Sequence, residues 1–120
     1  MEDFKKFFTE YGIDYETTME RFLNNKDTYL RLLKMFFADD NLAKLSQALA
    51  AGNLDAAFEA AHTLKGVCGN LGLSPMYDKI CDIVEPLRRK EDRNYIEQFL
   101  GIEAEFKKLE ELCKKYFQLF

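Results

Sequence analysis

The 120-residue sequence is poor in the features that punctuate, brace or anchor a chain. It has no tryptophan, one histidine, two prolines and six glycines. So few breakers leave long uninterrupted stretches of helix formers, and no Val/Ile/Thr-rich alternation appears, so strands are not expected. The longest apolar runs are four residues, such as Met35 to Ala38, far below the ~18 needed to cross a bilayer. No membrane association is therefore expected. Met1-Glu2-Asp3-Phe4-Lys5 lacks the basic-then-apolar order of a signal peptide, which points to the cytoplasm. There is no excess of positive charge: the net charge is −4, against the basic face that nucleic-acid binding needs. Cysteines are few and odd in number, at positions 68, 81 and 113, with no CxxC pair. A structural metal site needs four clustered ligands, so none is expected, and the three read as small core hydrophobes in a reducing compartment.

What is present is a globular composition, 48% hydrophobic and 32% charged, of the size of one domain. No repeat or low-complexity stretch divides it. Phe4, Phe7, Phe8 and Tyr11 give a first helix over Glu2 to Tyr11, ended by Gly12. A short helix follows over Tyr15 to Leu23, then a polar break at Asn24-Asn25-Lys26-Asp27. One long helix is expected from about Thr28 to Ala51. Its stripe starts with Leu30, Leu33 and Phe37 and continues on a rotated face with Leu42, Leu45 and Leu49. Asp39-Asp40-Asn41 between them allows a bend. Asn53 is a good N-cap for a helix reaching about Asn70, and Gly72 stops it. Ser74-Pro75 starts the next helix, with Met76, Ile80, Ile83, Val84 and Leu87 inward; Pro86 should kink or end it. The last helix starts near Asn94, carries Ile102, Phe106, Leu109, Cys113, Tyr116 and Phe120 at helical spacing, and has Gly101 as a candidate break. These elements predict an all-α fold: an antiparallel up-down four-helix bundle with an additional short N-terminal helical segment packed across one end. The chain reads as a single domain over residues 1–120, with the bundle core at about 27–118 and residues 1–26 as a helical extension.

The helix around the lone histidine carries the chemistry. Leu54, Ala57, Ala61, Leu64, Cys68 and Leu71 form its apolar stripe. Asp55, Phe58, Glu59, His62, Lys65, Gly66 and Gly69 form the opposite one, so His62 points outward from mid-helix. A glycine inside a helix costs up to about 1 kcal/mol relative to alanine. Gly66 and Gly69 both follow His62 on its own face, where no cap is needed. The simplest physical account is access, letting another protein's backbone approach the imidazole.

The segment Ala61-His62-Thr63-Leu64-Lys65-Gly66, followed by Gly69-Asn70-Leu71-Gly72, closely resembles the signature of histidine-phosphotransfer domains. Leu32 to Phe37 and the turn Ala50-Ala51-Gly52-Asn53 resemble that family's preceding elements, and the resemblance spans about Tyr15 to Tyr116. It implies a non-enzymatic phosphocarrier of a two-component phosphorelay. His62 would become a phosphohistidine on the ring nitrogen far from the backbone. Lys65 would offer charge to the phosphoryl oxygens and Gly66 would leave room for the donor. Phe58, Glu59, Gly69 and Asn70 would complete the docking face, with Phe58 either an exposed apolar anchor or folded back over a neighbouring helix. The implied partners are receiver domains of response regulators and of a hybrid histidine kinase. The chain would act as a monomer without its own cofactor, the magnesium residing on the receiver. Several family members orient the imidazole with a glutamine on the following helix. The matching position here is close to Val84, which has no polar group, leaving Tyr77, Lys79 and Arg88 as candidates for contacts near the site. Two other readings remain open on the residues alone: a helical adaptor that binds receiver or kinase domains without phosphotransfer, and an enzyme using His62 as general base.

Overall fold

The computed structural model describes residues 2–118 and contains seven helices and no strand among them. Phe120, assigned above to the last stripe, lies outside the described residues. Helices α1 (Glu2–Tyr11) and α2 (Tyr15–Arg21) precede α3 (Lys26–Ala38) and α4 (Asn41–Ala50). Then come α5 (Leu54–Leu71), α6 (Ser74–Arg88) and α7 (Ile96–Phe117). Helix α5 lies between α4 and α6, α6 packs on α7, and α7 touches α4, which closes a bundle around α5.

The expected long helix from Thr28 to Ala51 is two helices. Asp39 takes an extended conformation (ψ 145°), and its carboxylate accepts the backbone N–H of Asn41 at 2.8 Å and the Asn41 side-chain amide at 2.6 Å. A short acidic side chain bonding two residues ahead gives the backbone an alternative to the helical ladder. The break lets α3 bury Tyr29, Leu33 and Phe36 while α4 buries Leu45 and Ala48 on a rotated face. Leu30 and Phe37, placed inward by the sequence, are half-buried. Helix α3 also starts two residues earlier than expected, because Asn25 caps it by accepting the Thr28 N–H at 3.0 Å.

Pro86 does not stop α6, which runs two residues beyond it. A proline deprives the carbonyl four residues earlier of its donor, here that of Asp82. The Gln98 side-chain amide, from α7, donates to that carbonyl at 3.1 Å. The loss is thus made good across the helix pair. Gly101 does not break α7 either.

The N-terminal helices are joined to the bundle by aromatic contacts. Phe4 and Phe8 meet Tyr29 of α3 at 5.8 and 5.1 Å between ring centroids, and Phe7 meets Phe117 of α7 at 4.9 Å. Tyr29 is fully buried, and its hydroxyl donates to the Leu71 carbonyl at 2.8 Å. Burial raises its pKa far above the ordinary phenol value. Removing one partner of a buried hydrogen bond costs about 1–3 kcal/mol. Tyr29→Phe should therefore lower unfolding stability by that amount in urea titration, with the m-value unchanged.

Candidate functional site

Helix α5 is bounded by the two residues its sequence marks. The Asn53 side chain accepts the Ala56 N–H at 3.0 Å. Gly72 ends the helix in the left-handed region (φ 70°), with Leu73 N–H bonded to Cys68 O at 2.9 Å and Gly72 N–H to Gly69 O at 3.2 Å. That pairing closes the helix in a Schellman motif. Arg21 of α2 also donates from one terminal guanidinium nitrogen to the Gly69 and Asn70 carbonyls, at 2.9 and 2.6 Å. Together with Tyr29, these contacts give the last carbonyls of α5 partners from two earlier helices and fix the axis that carries the histidine.

Ala57, Ala61, Leu64, Cys68 and Leu71 of the apolar stripe are buried, and Leu54 is half-buried. Ala60 is buried as well. His62 is exposed near the middle of the helix. Lys65, one turn on, is half-buried; Glu59 and Asn70 are exposed. Among the described residues no side chain hydrogen-bonds either imidazole nitrogen. The structure gives the ring a different neighbour. Phe58, one turn earlier, lies nearly parallel to it, with centroids 5.3 Å apart and 15° between planes. The Arg88 guanidinium carbon of α6 is 5.0 Å from the centroid of that same phenyl ring. Phe58 is therefore a half-buried member of a stack and not a freely exposed apolar anchor.

The two glycines of the polar stripe differ. A Cβ on Gly66 would meet nothing within 4 Å, so the space there is open. A Cβ on Gly69 would come within 3.1 Å of the Tyr77 ring of α6, so this missing side chain is matched to internal packing as well as to the surface. Of the other neighbours considered, Val84 is fully buried and Lys79 is exposed beside Asp82 and Gln98. Arg88 alone joins the stack on His62.

Helices α3 and α4 add surface that the sequence of α5 could not reveal. A groove of about 320 Å³ beside Gly66 is lined by Leu32, Met35, Phe36, Val67 and Leu71, with Met35 59% exposed. On the other side a shallow groove runs between α4 and α5 past Lys44, Gln47, Glu59 and Thr63.

Two of the three cysteines are poor nucleophiles. Cys68 is buried, and burial pushes its thiol up to about 12; the same holds for Cys113. A thiol at that value carries almost no thiolate at neutral pH. Cys81 differs from the expectation of three core cysteines in being half-buried. Among the described residues no group of three or more His, Cys, Asp or Glu is placed to hold a metal ion, and no helix is long and apolar enough to cross a membrane. An exposed imidazole on a convex helix, with an open glycine one turn ahead, can meet a reacting group only if another molecule brings it.

A family model described as Hpt domain matches residues 31–111, which takes in α4, α5 and α6 entirely, most of α3, and α7 to within two turns of its end. Helices α1 and α2 precede the match. No curated protein and no solved structure matches the chain.

Proposed function

The chain belongs to the Hpt domain family, and on that premise we propose that it carries a phosphoryl group on His62 between aspartates of receiver domains in a phosphorelay. Hpt domains are histidine-phosphotransfer modules of two-component signalling; they are phosphocarriers and not kinases, and they interact with receiver domains. The observation that carries the assignment to His62 is that the chain's only histidine is solvent-exposed on the matched helix, with open space at Gly66 one turn away.

The step balances with few groups. The lone pair on Nε2 attacks phosphorus of a receiver's aspartyl phosphate while the acyl P–O bond breaks. The bonding electrons return to the aspartate as carboxylate. The imidazole keeps its Nδ1 proton and becomes the N-phosphorylated ring; return transfer runs the same path backward. Such transfer goes through a loose transition state and depends chiefly on position and charge. Lys65, on the same stripe, supplies a cation from this chain; the acceptor carboxylate and magnesium belong to the receiver. In this reading the docking face includes Glu59, Gly69 and Asn70 along α5, and the groove at Leu32 and Met35 extends it onto α3.

The test is mass analysis of the intact protein after mixing with phosphorylated receiver domains. A gain of one phosphoryl group, mapped to His62, is expected. Binding of receivers without any mass gain would favour the adaptor reading and end this one.

A further inference from the structure

Among the described residues the exposed imidazole has no hydrogen-bond partner, yet a nucleophile that reacts in line with a departing oxygen gains from a fixed orientation. The neighbouring helix cannot supply a hydrogen bond at its nearest level, where Val84 is buried and apolar. What holds the ring must come from elsewhere, and the ring contact described above offers it. From the parallel His62–Phe58 contact we infer that Phe58 is the positioning residue for His62: its ring fixes the imidazole plane in place of a hydrogen bond. This inference rests on the proposed carrier role of His62.

The geometry is that of two side chains one turn apart on a helix, which lie one above the other. Helical side chains lean toward the N-terminus, so His62 settles back over Phe58 and not over Gly66. Rotation about the bond joining the imidazole to Cβ would tilt the ring out of its parallel contact. The stack therefore restricts one of the two side-chain torsions that swing the reactive nitrogen. It leaves the ring's outward edge free, which a covering partner would not.

Phe58 is itself held. The Arg88 guanidinium lies on its ring at 5.0 Å, and Arg88 Nε is 3.4 Å from the Glu85 carboxylate. Phe58 is half-buried, and Arg88 comes from α6, so the orientation of His62 is tied to the α5–α6 pair. Phe58 acts through His62 and touches neither phosphoryl nor receiver.

The experiment uses the full chain and two variants, Phe58→Leu and Phe58→Tyr. The first keeps apolar volume without a flat ring; the second keeps the ring. Because His62 is the only histidine, its imidazole proton resonances are read directly by NMR. In the parent they should be shifted upfield by the phenyl ring current, in Phe58→Tyr they should stay there, and in Phe58→Leu they should move downfield. With a phosphorylated receiver in excess, the maximal transfer rate of Phe58→Leu should fall about 10-fold, a fraction of the ~100-fold that a 1 Å misplacement can cost. Its KM for the receiver should stay within about twofold, as expected when only transition-state geometry is lost. Phe58→Tyr should transfer at the parental rate.

Either of two kinetic results would overturn the inference. One is a Phe58→Leu protein that transfers at the parental maximal rate. The other is a raised KM with an unchanged maximal rate, which would make Phe58 a docking contact. If the parent itself takes no phosphoryl group, the carrier reading fails; resonances that do not respond to Phe58→Leu show separately that the stack is absent.

Discussion

His62→Gln should accept no phosphoryl group from any receiver that labels the parent, and should melt within a few degrees of it. Both halves follow from the site. The imidazole is exposed and, among the described residues, hydrogen-bonded to no side chain, so its removal leaves no buried group unpaired. Its identified ring contact, with Phe58, is worth about 0.5–1.5 kcal/mol, a shift of a few degrees for a domain of this size. Chemically the loss is complete, since an amide has no basic nitrogen to attack phosphorus. Cys68 and Cys113 do not substitute, being buried thiols with raised pKa values. The label on the parent should also be lost in acid and survive base, as a phosphorus–nitrogen bond does and an acyl phosphate does not. Intact-mass measurement before and after acid treatment reads both properties. Undiminished labelling of His62→Gln would place the phosphoryl group elsewhere.

Gly66 should show the next largest effect, and in the opposite balance of folding and function. Its backbone is ordinary right-handed helix, and a Cβ there meets nothing within 4 Å. Alanine should therefore stabilise the domain by up to about 1 kcal/mol, from helix propensity and the narrower unfolded ensemble. Glutamine, also a good helix former, should leave the melting temperature unchanged or slightly raised. Transfer should fall about 100-fold in Gly66→Gln, because a long side chain one turn from His62 would hold the receiver away by an ångström or more. The decisive measurement pairs thermal melting with single-turnover transfer on the same variants. A Gly66→Gln protein that melts far lower would mean that the glycine serves packing. One that transfers at the parental rate would mean that nothing docks over it. Gly69 is the internal contrast: a methyl group there presses on the Tyr77 ring, so its substitution tests α5–α6 packing as well as access.

Much of the fold was legible because helix signals are local. Asn53 and Gly72 bound α5 as expected, since capping depends on side-chain and backbone geometry within one turn. The inward residues of α6 all proved buried, because a 3.6-residue period already says which side faces the core. The same periodicity put His62 on the open side of its helix. The less legible parts involve residues far apart in sequence. Pro86 reads as a helix end until Gln98 is seen to serve the carbonyl it leaves free. The stretch from Thr28 to Ala51 reads as one helix because no proline or glycine interrupts it and only the Asp39-Asp40-Asn41 group breaks its apolar stripe. The break becomes definite only when α3 and α4 bury different faces.

The site divides along the same line. The sequence by itself determined which residue is the candidate nucleophile, its exposure and the open position at Gly66, since all three depend on spacing along a single helix. Tertiary structure alone decided the rest. It set the rotation of α6 against α5, which brings Arg88 onto Phe58 and the Tyr77 ring over Gly69. It laid α3 alongside Gly66 with Met35 exposed, and it gave the last carbonyls of α5 to Arg21 and Tyr29. Side-chain periodicity tells which face of a helix is buried and says nothing about what lies against it. How two helices meet is fixed by the close packing of side chains supplied by both, and no single stretch of sequence contains both halves of that contact.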